Sequence, residues 1–203
     1  MAKRQDIIEA PMGEKTVLLH TCCAPCSSAI IEALMKNGIT PVIYYCNPNI
    51  FPKEEYEIRK EECTRYARSL GLEIVDADYD HENWLEAVKG LEHEPERGGR
   101  CLKCFKLRLL RTARYAKERG IKVITSTLAS SRWKSLDQIN EAGAWACEKV
   151  ALQDPLNGTE SPVYWDRNWK KGGLQERRLQ IIKEYDFYNQ LYCGCEFSIR
   201  KED

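Results

Sequence analysis

The chain has no apolar run approaching the roughly 18 residues needed to cross a bilayer. Its first stretch, Met1 to Lys15, is a polar arm without the apolar centre of a secretory leader. Both absences lead us to expect a cytoplasmic protein with no membrane partner. Histidine is scarce: the three residues His20, His81 and His93 are not spaced to share a metal, which excludes a histidine-based metal site. Net charge is also absent, because 31 Lys+Arg balance 31 Asp+Glu, so overall charge selects no partner. No internal repeat or low-complexity segment breaks the 203 residues, and the length suits one domain. Finally, the turn after the first expected strand, TCCAPC, contains no glycine. A loop that wraps its backbone around phosphates needs one, which argues against an ATP-using adenylating or thiolating enzyme.

What the chain has in excess is cysteine, ten in all. In a reducing compartment these are not a disulfide framework, so metal or redox chemistry becomes the expectation. Three of them define the stretch around which the chain is organised, Thr16 to Asn37. Thr16 to His20 is a β-branched apolar run that predicts a buried strand, and Ser27 to Lys36 carries apolar residues at helical spacing. Cys22, Cys23 and Cys26 lie in the turn between, with Pro25 near the first helical turn, where its missing N–H costs little. In an open parallel sheet that turn faces the ligand crevice. A helix N-terminus there stabilises thiolates or an anionic cluster. A buried thiol cluster or a vicinal disulfide stays open as an alternative.

Strand and helix then alternate: a strand over Pro41 to Cys46, a helix opened by Pro52 and ending near Gly71, a short strand at Glu73 to Asp76, a helix around Trp84 to Lys89. This is the pattern of a parallel α/β sheet. From Glu73 to Glu96 nine acidic residues face one lysine; from Arg97 to Arg119 nine basic residues face one glutamate. The basic block suits phosphates, or is a solvated face neutralised by its acidic neighbour. Arg97-Gly98-Gly99-Arg100 reads as a flexible basic turn leading into Cys101-Leu102-Lys103-Cys104, and an amphipathic helix follows to Gly120. Cys101 and Cys104 are one turn apart and share a face. Such a pair suits a metal, an iron–sulfur cluster or a dithiol couple, and with Cys22 and Cys23 it makes four thiolates.

Lys122 to Thr125 predicts another strand, with Ser126, Thr127 and the run Ser130 to Lys134 beyond it. That end holds a phosphate or a stacked base, or it merely leads to a helix capped by Ser135. From Asp154 the chain becomes a C-terminal extension, 154–203, helical and irregular. Trp165 and Trp169 interleave with Arg167, Lys170 and Lys171, as a nucleic-acid platform or as a loop packed on the core. A helix over Leu174 to Tyr185 precedes Cys193-Gly194-Cys195. These two thiols are close enough to pair, or they ligate metal. Cys46, Cys63, Cys147 and His20 are expected in the core.

The strings LLHTCCAPCSS, YYCNPNIFPKEEYEIRK, GGRCLKCFKLRLLRTARYA and QLYCGCEFS together resemble the QueH type of epoxyqueuosine reductase, over nearly the whole chain. The resemblance implies a HUP-like (Rossmann-like) α/β fold and a 4Fe-4S cluster held by Cys22, Cys23, Cys101 and Cys104. It implies Cys193 and Cys195 as a redox-active pair, or as ligands, with Cys26, of one additional iron. It further implies a tRNA anticodon loop as substrate, an unidentified electron donor, and two-electron removal of the epoxide oxygen to give queuosine. A low-potential thiolate-ligated cluster suits that chemistry. Arg100 and Lys103 would offset its charge, and Asp78, Tyr79, Asp80 or His81 would deliver the proton. A cluster-free thiol-redox enzyme and a zinc-stabilised RNA-binding module are the alternatives.

Overall fold

The computed structural model describes residues 7–131, 133–153 and 160–199. Arg132 of the Ser130 to Lys134 run, the start of the polar arm and parts of the C-terminal extension lie outside them. Five strands form one all-parallel sheet in the order β3-β2-β1-β4-β5. They are β1 (Thr16–Thr21), β2 (Thr40–Tyr45), β3 (Ile74–Asp76), β4 (Val123–Ser126) and β5 (Val163–Tyr164). β1 is central, pairing Leu18 with Val42 on one side and with Ile124 on the other. Val17, Leu18 and Leu19 are wholly buried, because helices cover both faces. That explains why β1 reads as a continuous apolar run rather than an alternation.

Among the described residues five helices lie between the strands, α1 (Ala24–Lys36), α2 (Lys53–Ser69), α3 (His81–Val88), α4 (Gly99–Glu118) and α5 (Leu136–Gln153), and a sixth, α6 (Leu174–Glu184), follows β5. α1 buries Ala29, Ile30, Ile31 and Leu34, the residues at helical spacing. Ser135 caps α5 as its sequence suggests, accepting from Gln138 N at 3.3 Å. Two differences from the expected elements bear on function. α4 begins at Gly99, so Arg100 belongs to a helix rather than a flexible turn. β5 extends the sheet within a stretch expected to be irregular; two residues are too short for a visible alternation. Its neighbour explains a mid-helix glycine: a Cβ at Gly143 of α5 would lie 2.3 Å from the Tyr164 ring.

His20 closes the C-terminal end of β1. Its Nε2 lies 3.0 Å from the Cys46 carbonyl and its Nδ1 2.8 Å from Ser126 Oγ. A carbonyl only accepts, so Nε2 carries the proton and Nδ1 accepts from the serine hydroxyl. Burial pulls its pKa down to about 3, keeping the ring neutral. The expectation of a satisfied core histidine holds, and the ring ties the ends of β1, β2 and β4. Strand order reverses between β1 and β4, and in sheets of this kind ligands bind at that point.

Candidate functional site

The turn leaving β1 at this point carries three thiols. Cys23 caps α1 and Pro25 occupies its first turn. Cys26, expected in the turn, stands inside the helix, where the i+3 spacing brings it onto the face of Cys23. The Cys22 and Cys23 sulfurs are 3.9 Å apart, and those of Cys22, Cys23 and Cys26 all lie within 4.8 Å of one another. All three are buried. Hydrogen bonds from the Cys23 and then the Cys26 thiol draw the Cys22 pKa well below its ordinary value, and Lys134 and Thr127 act in the same sense. The same sharing raises Cys23, and raises Cys26 to about 11. One thiolate is thus stabilised by two thiols, a soft donor set for a metal. Thr127, just past β4, donates to Cys22 Sγ at 3.4 Å and accepts from Cys22 N at 3.2 Å.

Cys101 and Cys104 occupy the first two turns of α4 and form a second group. Cys101 accepts from Arg97 N at 3.3 Å, and burial raises its pKa. Cys104 packs with Trp84, Val88 and Cys195. Between the two groups lies Arg108, buried in full. Its Nε donates to the Cys46 carbonyl at 3.1 Å and its Nη2 to Asn47 Oδ1, while Nη1 stands 3.9 Å from Cys104 Sγ. Burial alone would depress its pKa, but the sulfurs of Cys104, Cys22 and Cys193 raise it. Lys134 behaves alike: against burial, Cys193, Cys22 and Cys26 hold its ammonium above the usual range. Both cations stand within electrostatic reach of Cys22 and Cys193. Sequence reasoning missed Arg108 among nine cations; its signal was the i+4 spacing from Cys104.

The rest of the basic block is divided between inward and exposed positions. Arg100 is buried, its Nη1 donating to the carbonyls of Leu91 (3.3 Å), Glu92 (2.6 Å) and Glu94. Lys106 pairs with Glu141 at 2.7 Å, Arg111 donates to the Ala77 carbonyl, and Arg119 reaches Glu73 at 3.1 Å. Arg100, Arg111 and Arg119 all bond within the acidic segment 73–96, Arg119 through the Glu73 carboxylate and the other two through carbonyls, which favours the reading of a block neutralised by its neighbour. Lys103 stays exposed. Trp165 and Trp169 are buried against each other in a T-shaped contact, as core rather than platform. Trp133 is 54% exposed, one residue before Lys134.

Cys193 is half-buried and Cys195 buried, and all ten cysteines are free thiols. Burial, then the neighbouring Cys104, raises Cys195 to about 12. Of the acid candidates, Asp78 and Asp80 are exposed and Tyr79 donates to the Ile50 carbonyl at 2.7 Å. His81 Nδ1 lies 2.7 Å from the Pro48 carbonyl and its Nε2 3.1 Å from Glu196 Oε1. A solvent cavity between α1 and α6, lined by Glu32, Lys36, Arg167, Lys171 and Arg177, includes none of the cysteines.

A family model described as epoxyqueuosine reductase QueH matches residues 17–201. The chain belongs to the QueH family. Curated relatives named epoxyqueuosine reductase QueH include those of Histophilus somni, 49% identical over 95% of this chain and 76% of that protein, and Haemophilus influenzae, 47% identical over 95% and 75%. The Acinetobacter baylyi protein is 45% identical over 98% of this chain and 88% of its own length. The resemblance read from the four motifs therefore holds, and that name denotes an oxidoreductase. Among solved structures, a short-chain dehydrogenase from Streptomyces avermitilis overlaps with a TM-score of 0.35 at 13% identity, covering 89% of this chain and 86% of that one, too remote a likeness to bear on the site.

The QueH family implies a metal-dependent reductase, and the site suits a metal on two observations. The three sulfurs around Cys22 include one poised as thiolate. The Trp84 indole N–H is wholly buried beside Cys104 and Cys195 with no partner among the described residues, a donor left over for an acceptor such as a cluster sulfur. No helix among the described residues is long and apolar enough to cross a membrane.

Proposed function

We propose that the chain reduces epoxyqueuosine in a tRNA anticodon loop to queuosine, as a cytoplasmic enzyme of one domain. The observation that carries the reading is the buried Cys22, Cys23 and Cys26 group at the strand-order reversal, in a chain matched to the QueH family from end to end of its fold. Cys22, Cys23, Cys101 and Cys104 would hold a 4Fe-4S cluster, and Cys26 an additional iron. When bound, such a cluster supplies electrons at low potential.

The polypeptide's own part is charge, electrons and protons. The reaction consumes two electrons and two protons: both C–O bonds of the epoxide break, the alkene forms and the oxygen leaves as water. Cys193 and Cys195, as a dithiol, carry that same count, becoming a disulfide that an external donor reduces again. Arg108 and Lys134 bring positive charge to the thiol groups, which offsets thiolate charge and favours an anionic RNA at the crevice. Trp133, exposed beside Lys134, is suited to stack on an unpaired base of the anticodon loop. His81 is the favoured acid: its ring bridges the Pro48 carbonyl and the Glu196 carboxylate, half-buried beside the segment of Cys195.

The test is to purify the chain anaerobically, measure iron, sulfide and zinc, and incubate it with a reductant and an epoxyqueuosine-containing anticodon stem-loop. About four irons and four sulfides per chain are expected for the cluster, with a fifth iron where Cys26 holds its own, and the modified nucleoside should lose one oxygen in its mass. Colourless zinc protein, inactive after reconstitution with iron and sulfide, would overturn the reading in favour of a zinc-stabilised RNA-binding module. Turnover without iron would favour a cluster-free thiol-redox enzyme.

A further inference from the structure

Cys193 lies far from the sheet in sequence, on a C-terminal segment with no regular backbone pairing, and its placement depends on side chains. The structure holds it in an unusual way. Arg59 of α2 is 3% exposed and ion-paired with Glu55 one turn earlier, Nη2 to Oε1 at 2.6 Å and Nε to Oε1 at 2.7 Å. The rest of its guanidinium reaches across to the segment: Nη1 donates to the Cys193 carbonyl at 3.2 Å and Nη2 to the Tyr192 carbonyl at 3.4 Å. The guanidinium also stands 5.3 Å from the centre of the Tyr192 ring. The next carbonyl, that of Gly194, accepts from Phe51 N at 2.8 Å.

Three consecutive peptide groups around Cys193 are therefore fixed, which fixes the direction of its Cα–Cβ bond. Gly194 makes the approach feasible: its φ of +120° disfavours any side chain, and a Cβ there would lie 2.9 Å from Ile50 Cγ1 and 3.2 Å from Arg59 Nη1. On its other side Arg59 feels Cys23 and Cys22; burial would lower its pKa, and those sulfurs and Glu55 raise it. The segment is also tied to the same thiols by Gln190, whose Nε2 donates to Cys23 Sγ at 2.9 Å.

We infer that Arg59 is the positioning residue that fixes the backbone around Cys193 and with it the placement of the Cys193 thiol. A planar fork satisfying one carboxylate and two successive carbonyls is something a guanidinium does and an ammonium does not. The functional consequence rests on the reductase reading, whereas the positioning does not. The experiment uses the full-length, anaerobically purified chain with Arg59→Met and Arg59→Lys. It follows iodoacetamide labelling of each cysteine by peptide mass and amide exchange over 188–196. Both variants are expected to label Cys193 about tenfold faster and to lose amide protection at 192–195, with Cys63 and Cys147 as protected as in the parent. On an epoxyqueuosine stem-loop, kcat should fall about a hundredfold, the scale of a misplaced reacting group, with KM for the RNA unchanged.

Parent-like Cys193 labelling and exchange in Arg59→Met would overturn the inference, as would full retention of both by Arg59→Lys together with parental kcat. If Arg59→Met also exposes Cys63 and Cys147, Gly194→Ala decides, because it displaces the segment without altering α2. Fast Cys193 labelling with Cys63 still protected supports the assignment, and parental labelling removes it. A parent chain inactive on the stem-loop would sink the reductase reading and leave the labelling result to stand or fall by itself.

Discussion

Of the three stretches that carry closely spaced cysteines, the first and the last are held by different physics. Cys22, Cys23 and Cys26 sit where the wholly buried β1 runs into α1, so the hydrophobic core and the strand ladder position them together. Cys193 and Cys195 sit on a segment held by discrete ties: the Arg59 fork, the Phe51 amide, Tyr188 Oη donating to Glu55 at 2.8 Å, and the His81–Glu196 contact. A core placement fails only when the fold fails. A tied placement loosens one bond at a time, which would suit the redox role proposed for this pair while the other thiols keep a fixed geometry.

The largest contrast to test is chemical. Cys22→Ser and Cys23→Ser should each abolish iron binding and turnover while the fold persists, whereas Cys193→Ser and Cys195→Ser should keep iron and lose turnover. Metal analysis beside single-turnover assays reads both arms, and iron lost from the second pair of variants would make those thiols ligands. Next comes stability. Ile30→Ala in α1 should cost about 2–5 kcal/mol, seen as a fall of the whole denaturant transition. Tyr188→Phe, which removes one tie, should cost roughly 1 kcal/mol and alter exchange only near 188–196.

The core end of the comparison also predicts a pH dependence. His20 has a folded pKa of about 3 against an ordinary 6.5. Above pH 6.5 neither state is protonated and its contribution is complete. Below that, the unfolded chain takes up a proton which the folded chain refuses, so stability is lost progressively towards pH 3. Urea titrations of the metal-free chain at pH 7 and pH 4.5 should show this loss, and His20→Gln should show less of it. The smallest effect lies at the rim: Trp133→Ala should weaken stem-loop RNA binding by about 1–3 kcal/mol, with Trp133→Phe nearer the parent. Equal affinity in all three would remove the stacking role.

The cysteine motifs show where local pattern stops being informative. Spacing alone puts Cys101 and Cys104 on one face of α4, because helix geometry follows from sequence separation. Spacing alone does not say that this face packs on Trp84 and Cys195, a contact made across the fold. The nine cations of the following block look like a phosphate-binding surface in sequence. In the folded chain Arg100 and Arg108 are buried and Arg111 reaches an inner carbonyl, since an exposed and a buried arginine spell the same letter. Arg59 was similarly hidden inside a charged helix.

Strand and helix order, the parallel sheet, the thiol-bearing turn and the membership of the QueH family were all determined by the sequence. Apolar periodicity, turn chemistry and motif order are local properties that survive without coordinates. Only the tertiary structure decided which thiol shares its proton with which, that Arg108 and Lys134 reach Cys22 and Cys193, and that Arg59 grips the segment of Cys193. Those depend on side chains brought together from separations such as Arg59 to Cys193, 134 residues apart. Burial strengthens their electrostatics, and no local pattern encodes it.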